Sequence, residues 1–171
     1  MYHPYISQAG ERGPVMEPAA RAMFSGLELG MNYSDMMRGV FEGLCLAARD
    51  CYAAMGDIPE EVRITGGAAR SSALRIMLAS VLKARVRTVS RDEAGAAGAA
   101  MMAAVQQKLF PDMAACAARW VDPLLGGVTQ PDPSLMGLYD GVFTLYKETR
   151  EKMRPIWRSM QANQVEALRV P

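Results

Sequence analysis

Between Val62 and Arg75 the chain reads Val-Arg-Ile-Thr-Gly-Gly-Ala-Ala-Arg-Ser-Ser-Ala-Leu-Arg, a pattern that few local structures accommodate. Val62–Thr65 predicts a short buried strand. Gly66 and Gly67 follow it, and glycines adopt backbone angles closed to other residues and let a ligand come close to the main chain. Ser71 or Ser72 suits the N-cap of a helix over roughly Ser72–Lys83, with Leu74, Met77, Leu78, Val81 and Leu82 inward. A strand, a glycine turn and a helix start in that order aim backbone N–H groups and a positive helix end at one spot, which suits a phosphate or another anion. Arg85–Val89 predicts a second strand, and such a unit crosses over right-handed with its two strands parallel.

The flanking sequence is mostly helical. Residues 1–33 hold Pro4, Pro14 and Pro18 with several glycines, and predict a loop or short hairpin. Within them, Gly10-Glu11-Arg12 is either an exposed turn or an ion pair holding a loop beside a cleft. From Ser34, the expected N-cap, apolar residues recur at spacings of three and four. Met36, Met37, Val40, Phe41, Leu44, Ala47, Ala48, Cys51 and Tyr52 predict one broad inward face, with Asp35 in the first turn and Gly56 at the stop. Glu42 falls among them, either at the boundary of that face or buried and paired. Asp92–Val105 predicts a helix whose Gly95 and Gly98 allow close backbone contact with a neighbour. Asp92 and Glu93 read as capping residues rather than a catalytic base. Asp112–Trp120 predicts a short helix and Pro123–Pro133 a loop. From Ser134 a long amphipathic helix is expected, with Leu138, Val142, Leu145 and Tyr146 inward. Pro155 should end or kink it, and the tail should fray after Met160. The resulting division is 1–33, 34–160 and 161–171.

Composition excludes several classes of function. Half of the 171 residues are hydrophobic, 22% are charged and the net charge is +1, which gives no general attraction to nucleic acid or to anionic lipid. Cys45, Cys51 and Cys116 have no CxxC spacing, and the only histidine is His3, so no zinc site is expected. Reduced thiols, no signal peptide and no apolar run of membrane-spanning length predict a soluble cytoplasmic protein.

The order of these segments resembles the C-terminal domain of the FGGY carbohydrate kinases, a family that contains the glycerol, xylulose, gluconate and erythritol kinases. The resemblance rests on Ile64-Thr-Gly-Gly-Ala-Ala-Arg-Ser71, a helix, a strand, and Asp92-Glu-Ala-Gly-Ala-Ala-Gly-Ala-Ala100. Upstream, Pro4-Tyr5, Gly10-Glu11-Arg12, Pro14, Ala20-Arg21 and Phe24-Ser25-Gly26-Leu27 stand in the family's order, followed by Asp35-Met36 and Val40-Phe41-Glu42. Gly39 departs from the pattern, which has alanine or serine there. The match covers about residues 4–155. Asp50-Cys-Tyr-Ala-Ala-Met-Gly56 and Arg91-Asp-Glu-Ala-Gly95 are most similar to the erythritol kinase branch, with the xylulose kinases next.

The resemblance implies an α/β fold of the actin-like ATPase (ribonuclease H-like) kind, here incomplete, with several helices around a short parallel sheet unit. It implies ATP and Mg2+ as cofactors and a sugar or polyol as substrate. It also implies that Gly66, Gly67 and Ala68 lie toward the adenosine and α-phosphate, Ser71 toward the adenine, and Arg70 at the mouth of the cleft. Family members further need an Asp-x-Gly-Thr phosphate hairpin, an aspartate base and a second glycine-rich phosphate loop. No stretch here matches these, so they are expected upstream of Met1, in a partner N-terminal domain. No catalytic and no metal-binding residue is assigned within the chain, which alone should be inactive and should self-associate. Two other readings stand beside this one: a non-catalytic nucleotide-binding or interaction module, and a plain α/β domain whose glycine turn only packs strand on helix.

Overall fold

The computed structural model describes residues 1–91 and 93–167. The chain divides into two compact units, residues 59–132 and residues 1–58 with 133–171.

In the first of these units, β3 (Glu61–Ile64) and β4 (Arg85–Val89) pair in parallel, Val62 opposite Val86. Helix α3 (Ser72–Leu82) connects them and buries Ala79, Ser80, Val81 and Leu82, of which Val81 and Leu82 belong to the inward face the sequence predicts, while Leu74, Met77 and Leu78 are half-buried. Lys83 closes α3 in the left-handed region, with φ 56°. The stretch 123–133, expected as a loop, carries a third strand instead, β5 (Leu125–Thr129), antiparallel to β4. Gly126 marks a close approach rather than a turn: a Cβ there would stand 2.4 Å from the Thr88 Oγ1. Helices α4 (Ala94–Gln106) and α5 (Met113–Trp120) complete the unit, α5 capped by the Asp112 carboxylate on the Ala115 N–H at 2.7 Å.

In the other unit, β1 (Tyr2–His3) and β2 (Met23–Phe24) form a minimal antiparallel ribbon. Helix α1 (Tyr33–Met55) is capped by Asn32, not by Ser34. The Asn32 amide oxygen accepts from the Ser34 and Asp35 N–H groups, and the Asp35 carboxylate accepts from the Asn32 N–H. Asparagine two residues earlier satisfies donors that Ser34, already inside the helix, cannot reach. The buried positions of α1 are Gly43, Cys45, Leu46 and Asp50, whereas Met36 and Leu44, expected inward, are exposed. Gly43 fixes this rotation, since a Cβ there would lie 2.3 Å from the Tyr2 carbonyl oxygen. Glu11 makes a local turn, its carboxylate accepting from the N–H groups of Arg12 and Gly13. Glu42 is paired with Arg38 at 2.9 Å and accepts from the Tyr139 hydroxyl.

Helix α6 (Pro133–Ala167) buries Tyr139, Phe143, Tyr146, Arg150 and Trp157. Leu138 and Leu145 are 55% and 56% exposed, so the inward face lies about one position from the expected one. Aromatic side chains, which bury more area than leucine, set it. The helix also runs through Pro155 and past Met160 to Ala167, so, of the end or kink expected at Pro155, the end does not occur. Proline there forgoes one backbone hydrogen bond, at a cost of about 3 kcal/mol. The flanking turns offset it: Trp157 packs edge-on against Tyr5 at 5.5 Å, and Arg154 and Arg158 both bind the buried Glu17. Among the described residues, no helix is long and apolar enough to cross a membrane.

Candidate functional site

The glycine turn stands at the C-terminal end of β3. Gly66 has φ +76°, a conformation that side-chain-bearing residues rarely adopt, and acts as N-cap of a four-residue helix, α2 (Gly67–Arg70). The glycines therefore open a single helical turn, and Ser71 begins the longer helix. The Ser71 hydroxyl accepts from the Leu74 N–H at 3.2 Å, as the sequence predicts, so that hydroxyl is engaged in capping. A Cβ on Gly66 or Gly67 would meet no atom within 4 Å. The main chain is thus open on the side where a ligand would lie, and Gly66, Gly67 and Ala68 are exposed.

Behind the turn lies a concave cavity of about 480 Å³. Gly66, Ala69 and Arg70 line it, whereas Gly67, Ala68 and Ser71 do not. Of the expected site residues, only Gly66 and Arg70 therefore line this cavity. The remaining wall comes from residues the sequence reading left out: Arg75 on α3, Thr88, Ser90 and Arg91 at the end of β4, and Gly127 to Thr129 on β5. Arg75 ties these elements together, donating from Nη1 to the Ala69 carbonyl and from Nε to the Thr129 hydroxyl at 3.3 Å. The Thr65 hydroxyl donates to the Arg91 carbonyl at 2.6 Å, which joins the ends of β3 and β4. Arg75 and Arg91 stand inside the motif stretches already singled out. What the sequence lacked was the proximity of β5, which no local signal encodes.

A smaller cavity of about 190 Å³ is lined chiefly by Ile64, Val89, Ala94, Ala97, Gly98 and Met101. The small-residue face of α4 fronts this space rather than a close neighbour. A Cβ on Gly95 or Gly98 would meet nothing within 4 Å, which corrects the expected backbone contact. Glu93 occupies the N-cap of α4 without a side-chain hydrogen bond; Asp92 lies outside the described residues. Proximity of acid to the helix start survives, but capping by the Glu93 side chain does not.

Burial pushes the Cys45 thiol up to about 12, and burial likewise raises Cys51. These thiols are not nucleophiles at neutral pH. No cluster of three or more His, Cys, Asp or Glu that could hold a metal ion occurs among the described residues.

Comparison with known proteins agrees with this architecture. The model of the FGGY family of carbohydrate kinases, C-terminal domain, matches residues 1–107. The erythritol kinase of Brucella abortus is 53% identical over 157 residues, covering 92% of this chain and 30% of that protein. A xylulose kinase of Staphylococcus xylosus is 29% identical over 151 residues, covering 86% of this chain and 30% of its own length. The structure superposes on ligand-bound xylulose kinase from Lactobacillus acidophilus with a TM-score of 0.79 at 24% identity, over 94% of this chain and 32% of that one. Plasmodium falciparum glycerol kinase with ADP gives a TM-score of 0.64 at 16% identity, over 89% of this chain and 30% of that one. The fold is that of a sugar-kinase C-terminal domain of the actin-like ATPase kind, present in part. The chain belongs to the FGGY family of carbohydrate kinases. It spans about 30% of the length of the curated relatives it matches.

Proposed function

We propose that this chain is the C-terminal part of an ATP-dependent polyol or sugar kinase, erythritol kinase-like, that transfers the γ-phosphoryl group of ATP to a hydroxyl of its substrate. The observation that carries this is the 53% identity to an erythritol kinase across 92% of the chain. In this reading the chain contributes one wall of the nucleotide site. Gly66, Gly67 and Ala68 lie against the adenosine and α-phosphate, Ser71 faces the adenine and Arg70 the cleft mouth. Mg2+, the aspartate base and the remaining phosphate loops come from an N-terminal domain, and the assembled enzyme is cytoplasmic. Phosphoryl transfer depends on positioning together with charge stabilisation, and this chain supplies part of the positioning. Alone it self-associates and turns nothing over.

The glycine turn offers a clean test. Gly67 has open space around its Cα and no positive φ, so Gly67→Ala leaves the fold intact while placing a methyl where the nucleotide would approach. Calorimetry of the 171-residue chain should show adenosine and ADP binding that Gly67→Ala weakens about tenfold or more. Equal affinity in both proteins would remove the nucleotide from this wall. For the whole reaction, the chain is mixed with the N-terminal two-thirds of the Brucella abortus enzyme and assayed for erythritol-dependent ADP release. Turnover should need both pieces, and turnover by this chain alone would contradict its role as a partial site.

A further inference from the structure

We infer that residues 26–36 form the surface through which a second copy of this chain docks, face to face about a two-fold axis. This deepens the self-association proposed above and rests on it, and it does not depend on the phosphoryl-transfer reading.

Three observations carry it. The first is an apolar side chain where a polar one belongs. The Met31 N–H donates to the Glu28 carbonyl at 3.1 Å, which closes a turn with Leu29 and Gly30 at its tip. Turn tips favour Gly, Pro, Asn, Asp and Ser, yet here Leu29 is fully exposed. The second is extent. Every residue from 26 to 36 is exposed, Leu27, Met31, Tyr33 and Met36 among them. Leu27, Met31 and Met36 share with Phe24 a groove of about 160 Å³. At their exposures, the five large apolar residues offer on the order of 700 Å², above the roughly 300–600 Å² of the largest apolar patch on a typical monomer. That area is close to the roughly 800 Å² per partner of a standard interface. The third is pre-organisation. The Asn32 amide oxygen accepts from the Ser34 N–H at 2.8 Å, and the Asp35 carboxylate accepts from the Asn32 N–H at 2.9 Å. This reciprocal cap holds the segment in one shape, so little freedom is lost on docking.

The occupant follows from charge. Asp35, Arg38 and Glu42 line the groove, and Glu28 stands beside Leu29 in the turn. Three acids against one arginine repel anionic lipid and nucleic acid, which leaves a protein face. A two-fold interface is self-complementary, residue i meeting j while j meets i. This surface carries both halves of such a match. The Glu28 carboxylate makes no hydrogen bond or ion pair among the described residues, and the Arg38 guanidinium, bound to Glu42 through Nε, is exposed.

Sedimentation equilibrium of the full 171-residue chain, across roughly 1–200 μM, tests it. A monomer–dimer equilibrium is expected. Leu29→Glu should raise the dissociation constant about tenfold or more, and the thermal melt should confirm that this fully exposed position leaves the fold intact. Leu109→Glu, at an exposed leucine outside the segment, should leave association unchanged. Arg38→Glu should weaken the dimer and Glu28→Arg in the same chain should restore it. Failure of that restoration, or assembly beyond a dimer, would overturn the two-fold match. Self-association that Leu29→Glu leaves unchanged overturns this surface while the self-association reading stands, whereas a chain that stays monomeric throughout overturns both. If the N-terminal two-thirds of the Brucella abortus enzyme binds the chain, and Leu29→Glu abolishes that binding but not self-association, the segment belongs to that lobe and the inference falls.

Discussion

Arginine is used differently on α6 of one compact unit and around the cavity of the other. In the unit of residues 1–58 and 133–171, arginines of α6 meet acids: Arg150 contacts Asp50, and Arg154 and Arg158 converge on Glu17. Around the cavity of the 59–132 unit, Arg70, Arg75 and Arg91 face no carboxylate among the described residues. Glycine divides the same way. Gly43 exists because the Tyr2 backbone presses on it, whereas Gly66 and Gly67 stand in open space. Where charge and small size are taken up by ion pairs and close contacts they hold the fold; around the cavity no carboxylate among the described residues takes up the arginines, and no atom lies within 4 Å of a Cβ on Gly66 or Gly67.

The largest expected effect tests the consumed side. Asp50 and Arg150 are 7% and 10% exposed at their side chains, so Asp50→Ala removes the buried partner of Arg150 and leaves it only the half-exposed Glu151 as an acid, at a cost of about 3 kcal/mol, the low end for a broken buried pair. Urea unfolding measures it, and a loss below about 1 kcal/mol would put Arg150 among the arginines that can spare their partners. Next, Gly43→Ala should cost about 1–3 kcal/mol through overpacking against Tyr2. Gly67→Ala should be neutral or gain up to about 1 kcal/mol, because alanine is the better helix former. Equal destabilisation by both would erase the distinction between the glycines.

The pH dependence of stability should reside in the paired unit. His3 is fully buried; its Nε2–H donates to the Tyr146 carbonyl at 3.0 Å and its ring stacks on Tyr146, while Nδ1 has no partner among the described residues. Burial, more than the nearby Arg150 charge, holds its pKa below the ordinary 6.5. The unfolded chain therefore takes up the proton first. The stability given by neutral His3 is present above about pH 6.5 and is lost as pH falls from there toward the folded value. Glu17 is held below the ordinary 4.5 chiefly by its hydrogen bond to Arg158. Its contribution is present above about 4.5 and is lost only on further acidification. Thermal melts from pH 8 to 4 should show the first loss near 6.5, and His3→Gln should remove it. A flat profile between pH 7 and 5 would refute the histidine account. The smallest effect is expected at the cavity: Arg70→Gln should change the unfolding free energy measured in urea by less than about 0.5 kcal/mol, since Arg70 makes no hydrogen bond or ion pair among the described residues.

Local patterns in the chain were enough to place β3, α3, β4, α4 and α5 and to find the Ser71 cap, because each depends on neighbours a few residues away. The same reasoning put Leu138 and Leu145 inward and missed Tyr139 and Phe143. Helical periodicity gives the width of a face but not its rotation, which here depends on β1 and α1, more than 80 positions earlier in the chain. The loop reading of 123–133 failed for a related reason. Two glycines and three prolines look like a turn until β4 is alongside to pair with Leu125–Thr129.

By itself the sequence determined the strand–glycine–helix motif, its order relative to the downstream small-residue helix, and through that order the family. These are contiguous features, and short-range physics writes them into contiguous residues. Only the tertiary structure decided that Arg70, Arg75 and Arg91 share one cavity with β5, and that the arginines of α6 are already taken. Whether a charge is matched depends on which residues distant in sequence become neighbours, and no local pattern records that.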